Sequence, residues 1–379
     1  MEQTIYENAE HTSARADPAT DAGDVRHSPL PATLHWLPGV FLLVVLGLGF
    51  GAALLTPATF RWPREGSFLR GERTARYEKA FNEALPFRDA AISTWGVLEY
   101  TAFHEGREGV VVGRNGWLFT GEEVAFYEDA EAETARKLAY IKRARDELAA
   151  KNIPLVVALI PDKSRVYPEF VGRALPGYTA DRYKVFRRAL TRTGIPAPDL
   201  LTPLVSAKAK MQVYLRTDTH WTPAGAGVAA DTLARAVQEE AITGLFESEY
   251  ETAVTGRARY EGDLLSFLPL GALQRLGPAP DTLETRETRA FGSTGGGLFG
   301  AQTVPVTLVG TSYSANERWN FAGALQTSLG ADVLNLAAEG QGPLPPMKGY
   351  LASSELQSAP PNLVVWEIPE RYLPMPEAP

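Results

Sequence analysis

Apolar residues are distributed along this chain in three distinct ways, and each predicts a different element. From Trp36 to Leu55 the run WLPGVFLLVVLGLGFGAALL carries no charge. Its length matches the roughly 20 residues a helix needs to cross the hydrocarbon core of a bilayer. It is read as one transmembrane helix, and as an uncleaved signal-anchor rather than a cleaved signal peptide, because a long polar stretch precedes it and no A-x-A site follows. The second pattern is helical: from about Val124 to Lys151, Leu138, Ile141 and Leu148 recur at helical spacing among Ala, Glu, Lys and Arg. Further helices are expected from Asp181 to Thr193, stopped by Gly194, and from Pro223 to about Glu240, with Thr222 as N-cap. The third is the continuous apolar run of strands buried on both faces of a parallel sheet, seen in Pro154 to Ile160. Strands are also expected at Val304 to Val309, Asp332 to Leu336 and Asn362 to Ile368.

Helices alternating with buried strands predict an α/β fold, a mostly parallel sheet flanked by helices and preceded by one transmembrane helix. Asn115-Gly116 predicts a tight turn between two short extended pieces. Residues 241–303 fit neither period. Their Gly295-Gly296-Gly297 run has no strand before it and no lysine at P-loop spacing after it, so it reads as a flexible loop rather than a phosphate cradle.

Composition narrows the picture. Residues 1–35 hold little to bury and read as a disordered tail, giving a division into tail (1–35), anchor (36–56) and one α/β domain (57–379). The absence of cysteine removes thiol catalysis, disulfides and cysteine metal sites. A net charge of -8 argues against nucleic acid as a partner. The basic cluster Arg136, Lys137, Lys142, Arg143 and Arg145 reads as a solvated helix face. Arg61, Arg64 and Arg70 follow the apolar run closely, which by the positive-inside rule alone favours a cytoplasmic main domain, although long domains translocate largely regardless of flanking charge.

Two short motifs carry the candidate chemistry: Thr217-Asp218-Thr219-His220-Trp221-Thr222-Pro223 and Gly310-Thr311-Ser312-Tyr313-Ser314. They supply the acid, base and nucleophile of serine-dependent acyl transfer. Of 5 histidines, only His104 and His220 lie beyond the apolar run, and His104 has no comparable setting. Ser312 sits where an apolar strand runs out into a turn, at the carboxyl edge of the sheet, where helix N-H groups can stabilise an oxyanion. Ser314-Ala315-Asn316-Glu317 fits a capping box, which assigns Ser314 to capping and leaves Ser312 as nucleophile. Asp218 accepting from His220 Nδ1 would leave Nε2 to face the serine. A zinc site wants three protein ligands, for which histidines are too few; no metal and no cofactor is expected.

At TDTHWTPAGA (217–226) and GTSYSANERWNF (310–321) the chain resembles the SGNH-hydrolase-like domain of the alginate O-acetyltransferase family, the AlgJ and AlgX type. GRNGWLF from Gly113, PDK from Pro161, EGQGP from Glu339 and WEIPERYL from Trp366 echo it, so the resemblance spans roughly residues 80–373. The AlgX type carries an added C-terminal carbohydrate-binding module with no room here before Pro379, so the AlgJ type is the closer one. The resemblance implies a triad of Ser312, His220 and Asp218, an acetyl-serine intermediate, and transfer to hydroxyls of an exported polysaccharide, alginate or alginate-like. It places the main domain in the periplasm, overriding the charge rule, on a single-pass anchor in the bacterial inner membrane. It implies as partners a membrane-bound O-acyltransferase that delivers acetyl groups and other polysaccharide export proteins. Ser312 N-H is the expected oxyanion donor, with Asn335, Gly340, Gln341, Tyr313 and Arg371 as further candidates for oxyanion or substrate binding. An esterase with the same triad and a non-catalytic polysaccharide-binding subunit remain open as alternatives.

Overall fold

The computed structural model describes residues 36–245, 248–291 and 304–377. The expected tail and the glycine run at 295–297 lie outside the described residues. The chain divides into two compact units, one up to Arg88 and one from Asp89. The first contains the helix Leu37–Leu54, whose mean hydropathy of 2.3 and length suffice to cross a membrane. Phe41, Leu43 and Leu48 on this helix are exposed, the reverse of a helix in a protein core.

The second unit holds eight strands among the described residues: β1 (Val110–Val112), β2 (Leu118–Thr120), β3 (Leu155–Ile160), β4 (Glu249–Tyr260), β5 (Asp281–Phe291), β6 (Val306–Val309), β7 (Val333–Asn335) and β8 (Leu363–Pro369). Four of them form one parallel sheet in the order β3-β8-β6-β7. Successive residues of a strand point to opposite faces, and this sheet fills both. Val156, Ala158 and Ile160 pack with the helices Pro223–Glu239 and Phe321–Leu329. Leu155, Val157 and Leu159 pack with the helices Ala130–Ala149, Arg182–Arg192 and Leu344–Leu351. With both faces covered, β3 and β8 are buried along their whole length, which is why β3 reads as an unbroken apolar run and β8 as one interrupted only by Glu367.

Local signals hold at several junctions. Asn115 (φ 55°) and Gly116 (φ 74°) turn the chain between antiparallel β1 and β2, the left-handed pair that an Asn-Gly turn supplies. Thr222 accepts from the Gly225 N-H and Pro223 opens the helix, while Gly194 follows the helix Arg182–Arg192 with φ 74°.

Three expectations are corrected. The helix expected from Val124 begins at Ala130, because Gly121–Glu123 forms a separate turn capped by the Thr120 side chain. Lys137 is not on a solvated face: it is buried, donating to the Met375 carbonyl at 2.5 Å beside Glu133. Residues 241–303, which fit neither period in the sequence, contain the long antiparallel pair β4 and β5.

Candidate active site

The carboxyl ends of the parallel strands converge on the two motifs. After β6, Gly310 and Thr311 lead into a helical turn, Ser312–Ala315. Glu367 of β8 lies fully buried beneath this turn. Its carboxylate accepts from the Thr311 N-H at 2.7 Å, the Ser314 hydroxyl at 3.0 Å and the Thr311 hydroxyl at 3.0 Å. A side chain at Gly310 would strike that carboxylate, so glycine is what lets the Ser312 turn sit on it. Burial pushes the Glu367 carboxyl upward, and the Thr311 and Ser314 donors oppose the shift.

Here the capping-box expectation fails. Ser314 lies inside the turn with its hydroxyl turned down to Glu367, and Thr311 is the N-cap, its side chain accepting from the Tyr313 N-H. A carboxylate far away in sequence outcompetes the local pattern. Ser312 is left with its hydroxyl free of structural duty, and its N-H at the first position of the turn has no intrahelical partner.

Asp218 and His220 lie on a short loop closed at its base by the Tyr214–Trp221 bridge, just ahead of the helix Pro223–Glu239. Leu215 N-H donates to the His220 carbonyl at 3.0 Å, and Thr222 N-H to the Val213 carbonyl at 3.0 Å. Asp218 Oδ1 is 2.7 Å from His220 Nδ1, and His220 Nε2 is 2.7 Å from Ser312 Oγ. With Nδ1-H donating to the carboxylate, Nε2 accepts from the serine hydroxyl, the tautomer a general base requires.

Asp218 is 1% exposed and also accepts from its neighbour's backbone, His220 N-H at 2.9 Å, from the Tyr260 hydroxyl at 2.8 Å and from Asp263 N-H at 3.0 Å. Burial alone would raise its carboxyl, but the hydrogen bonds and charge of His220, with the Asp263 and His220 N-H groups, hold it well below the usual carboxylate range. Tyr260 is shifted upward by burial and by Asp218, so it stays a donor. Gly262 is required at the crossing between Tyr260 and Asp263, because a Cβ there would overlap the Thr217 carbonyl.

Aromatic rings fix the imidazole. The Trp319 ring stacks on His220 at 5.0 Å with an interplanar angle of 21°, and its indole N-H donates to the Ser312 carbonyl at 3.1 Å. Tyr313 packs on the same imidazole at 4.8 Å, and its hydroxyl donates to the Thr219 carbonyl at 2.8 Å, tying the two motifs together.

The secondary candidates fare differently. Tyr313 and Arg371 are buried: Arg371 donates to Glu122 at 2.8 Å and to the Tyr313 hydroxyl at 3.3 Å. Their side chains stand behind His220, Tyr313 against the imidazole and the Arg371 guanidinium over the Tyr313 ring at 5.3 Å. Asn335 Nδ2 donates to the Ser314 carbonyl at 2.8 Å and its Oδ1 accepts from Ala337 N-H at 3.1 Å, so its amide braces the nucleophile turn. Gly340 and Gln341 are exposed on the loop after β7, Gly340 with φ 72°. His104 ends a short helical segment with φ 57°, its N-H donating to the Glu99 carbonyl, and is not among the residues around Ser312. Asp218, His220 and Asp263 offer ligand-type atoms within 4.8 Å of one another. A cation there would have to displace the hydrogen bond between Asp218 and His220 Nδ1.

Tyr260, Asp263, Trp319 and Glu367 were not read as site residues from the sequence. Trp319 and Glu367 stand in the stretches GTSYSANERWNF and WEIPERYL, and an indole beside the serine motif was the available signal. Tyr260 ends β4 and Asp263 lies just after it, and β4 carried no recognisable pattern.

The serine, imidazole and carboxylate stand in hydrogen-bonded series at the carboxyl edge of a parallel sheet, and the fold is of the SGNH-hydrolase-like class. The family model described as SGNH hydrolase-like domain, acetyltransferase AlgX matches residues 110–370. A probable alginate O-acetylase AlgJ of Azotobacter vinelandii is 45% identical over 312 residues, covering 81% of this chain and 80% of that protein. The solved O-acetyltransferase domain of Pseudomonas putida AlgJ superposes with a TM-score of 0.66 at 45% identity, over 72% of this chain and 94% of that one. AlgX of Pseudomonas aeruginosa is more distant, with a TM-score of 0.56 at 28% identity over 70% of this chain and 66% of that one. The chain belongs to the AlgJ and AlgX family of SGNH-hydrolase-like acetyltransferases.

Proposed function

We propose that this chain is an alginate O-acetyltransferase of the AlgJ type, with Ser312 as nucleophile, His220 as general base and acid, and Asp218 as the group that orients and stabilises the imidazole. The observation that carries the reading is the unbroken series from Ser312 Oγ through His220 to Asp218, in a chain so similar to named alginate O-acetylases.

In the first half-reaction Ser312 Oγ bonds to the acyl carbon of an acetyl donor while its proton passes to His220 Nε2. The tetrahedral intermediate collapses as the leaving group takes that proton, giving an acetyl-serine. In the second, a sugar hydroxyl gives its proton to Nε2 and attacks the acetyl carbon. The ester bond to Ser312 breaks, the serine regains the proton, and the acetylated sugar leaves. The Ser312 N-H, at the start of its turn, donates to the oxyanion in both halves.

The apolar helix Leu37–Leu54 supports a tether in the bacterial inner membrane, with residues 57–379 as the acetyltransferase domain on its periplasmic side. A membrane-bound O-acyltransferase then supplies the acetyl group and other export proteins supply the polymer. The net charge of -8 gives no footprint for nucleic acid.

The test incubates the purified protein with a small acetyl ester and alginate oligosaccharides and follows masses. Acetylated oligosaccharide made by the native chain and lost in S312A supports transfer. Free acetate alone makes the protein an esterase. Undiminished polymer acetylation in cells carrying S312A makes it a non-catalytic subunit.

A further inference from the structure

Lys163 follows β3 at the carboxyl edge of the sheet, opening the turn Lys163–Val166. Its side chain is fully buried. Its ammonium makes no carboxylate ion pair among the described residues. Instead it donates to three backbone carbonyls: Leu118 at 2.5 Å, Arg216 at 3.0 Å and Asp218 at 2.8 Å. The rings of Trp117 and Phe119 pack against it at 5.3 and 5.2 Å. An ammonium has three N-H groups, and each has one acceptor here.

Two of those acceptors flank Thr217 in the loop that carries the triad carboxylate. Thr217 itself is held from the other side, its N-H and hydroxyl donating to Asp281 Oδ2 at 2.7 and 2.6 Å. The backbone of residues 216–218 is therefore clamped between a buried cation on its carbonyls and a buried carboxylate on its donors. We infer that Lys163 is a positioning residue for the triad, fixing the Asp218 backbone so that the carboxylate meets His220 Nδ1 in line. The inference rests on the proposed roles of Ser312, His220 and Asp218.

The clamp depends on protonation, because a neutral amine offers two N-H groups to three carbonyls. Burial lowers the Lys163 ammonium to about 8, against the opposing charges of Glu123, Asp281, Asp218 and Asp263, which face it from the surrounding elements. Site order should decline as pH rises through that value. Stability should move the other way. The unfolded chain keeps this lysine protonated to about 10.4, so between the two values the unfolded state binds more protons and the Lys163 contribution to stability rises with pH. A rate decline caused by general loosening of the fold would instead bring the melting temperature down with it.

The experiment measures the rate at which phenylmethylsulfonyl fluoride modifies Ser312 in the full-length protein, by intact mass, across neutral to alkaline pH, with thermal unfolding followed in parallel. This probe needs the triad but neither acetyl donor nor sugar acceptor, so failure of the transferase reading leaves it usable. In the native chain the rate is expected to fall about tenfold from about pH 7 to about pH 9, reversibly. K163M should lower the neutral rate about a hundredfold, the scale of a misaligned catalytic group, and abolish the alkaline decline. A flat native profile over this range overturns the inference, as does a folded K163M with the native rate and decline. If K163M does not fold, the native profile decides alone: a decline in rate without a fall in melting temperature supports the clamp, and parallel declines overturn it.

Discussion

Asp218 is surrounded by donors on every accessible lone pair, and each donor does something different. The two from His220 set the imidazole's angle, whereas those from Tyr260 and Asp263 hold the carboxylate against rotation. D218N is expected to reverse the preferred hydrogen-bond polarity and leave the base in the wrong tautomer. Turnover should fall by about 10³ to 10⁴ with the fold intact, the scale seen when a triad aspartate becomes asparagine. Steady-state kinetics beside circular dichroism checks this. Y260F removes one donor to a buried charge and should cost about 1.5–3 kcal/mol at neutral pH. A carboxyl held below its unfolded value contributes stability that is fully present above the unfolded value and is lost as pH falls through the folded one. The gap between native and Y260F in denaturant unfolding should therefore narrow under strong acid. A gap that stays constant there would mean the loss does not come from the hydrogen bond to the ionised Asp218 carboxylate.

At the scale of elements, the sheet was legible and the hairpin was not, for one physical reason. β3 and β8 are buried on both faces and so read as apolar runs, β8 with the single charge Glu367. β4 and β5 are half-exposed along most of their length, paired through Thr, Glu and Arg such as Arg257 with Glu284, so neither face shows a hydrophobic period. Yet this hairpin delivers Tyr260 and Asp281 to the site. The Ser312, His220 and Asp218 series was legible because its members lie in two compact local motifs. Its supports were hidden because each bridges segments distant in sequence, as Glu367 does with Ser314. The same non-locality defeated the capping box. E367A should leave the Thr311 N-H and the Ser314 hydroxyl buried without a partner. It is expected to cost about 2–3 kcal/mol in chemical denaturation and to lower turnover more than KM changes, because the turn it releases carries Ser312.

For the whole molecule, the apolar helix belongs to a unit separate from the site, and the family model covers only residues 110–370. Anchoring and chemistry are therefore expected to be separable. The full chain should remain in the membrane pellet after alkaline carbonate extraction and enter solution with detergent, while S312A partitions identically. Release by carbonate would make the helix Leu37–Leu54 something other than a membrane span. Cysteine accessibility to an impermeant reagent, using a single cysteine introduced at exposed Arg257 in this cysteine-free chain, reads the side on which the main domain lies. Labelling in cells with an intact inner membrane and a permeabilised outer one is the expected result.

The strand order β3-β8-β6-β7 also constrains when the site comes into being. β8 is the last of these strands in the chain, yet it lies between β3, which leads to Lys163, and β6, which leads to Ser312. Until it inserts, those two have no shared neighbour and Glu367 is not beneath the nucleophile turn. Pairings this distant in sequence form late because loop closure must precede them. A nascent chain therefore carries Ser312, His220 and Asp218 long before they can meet, and the site is assembled only when β8 arrives.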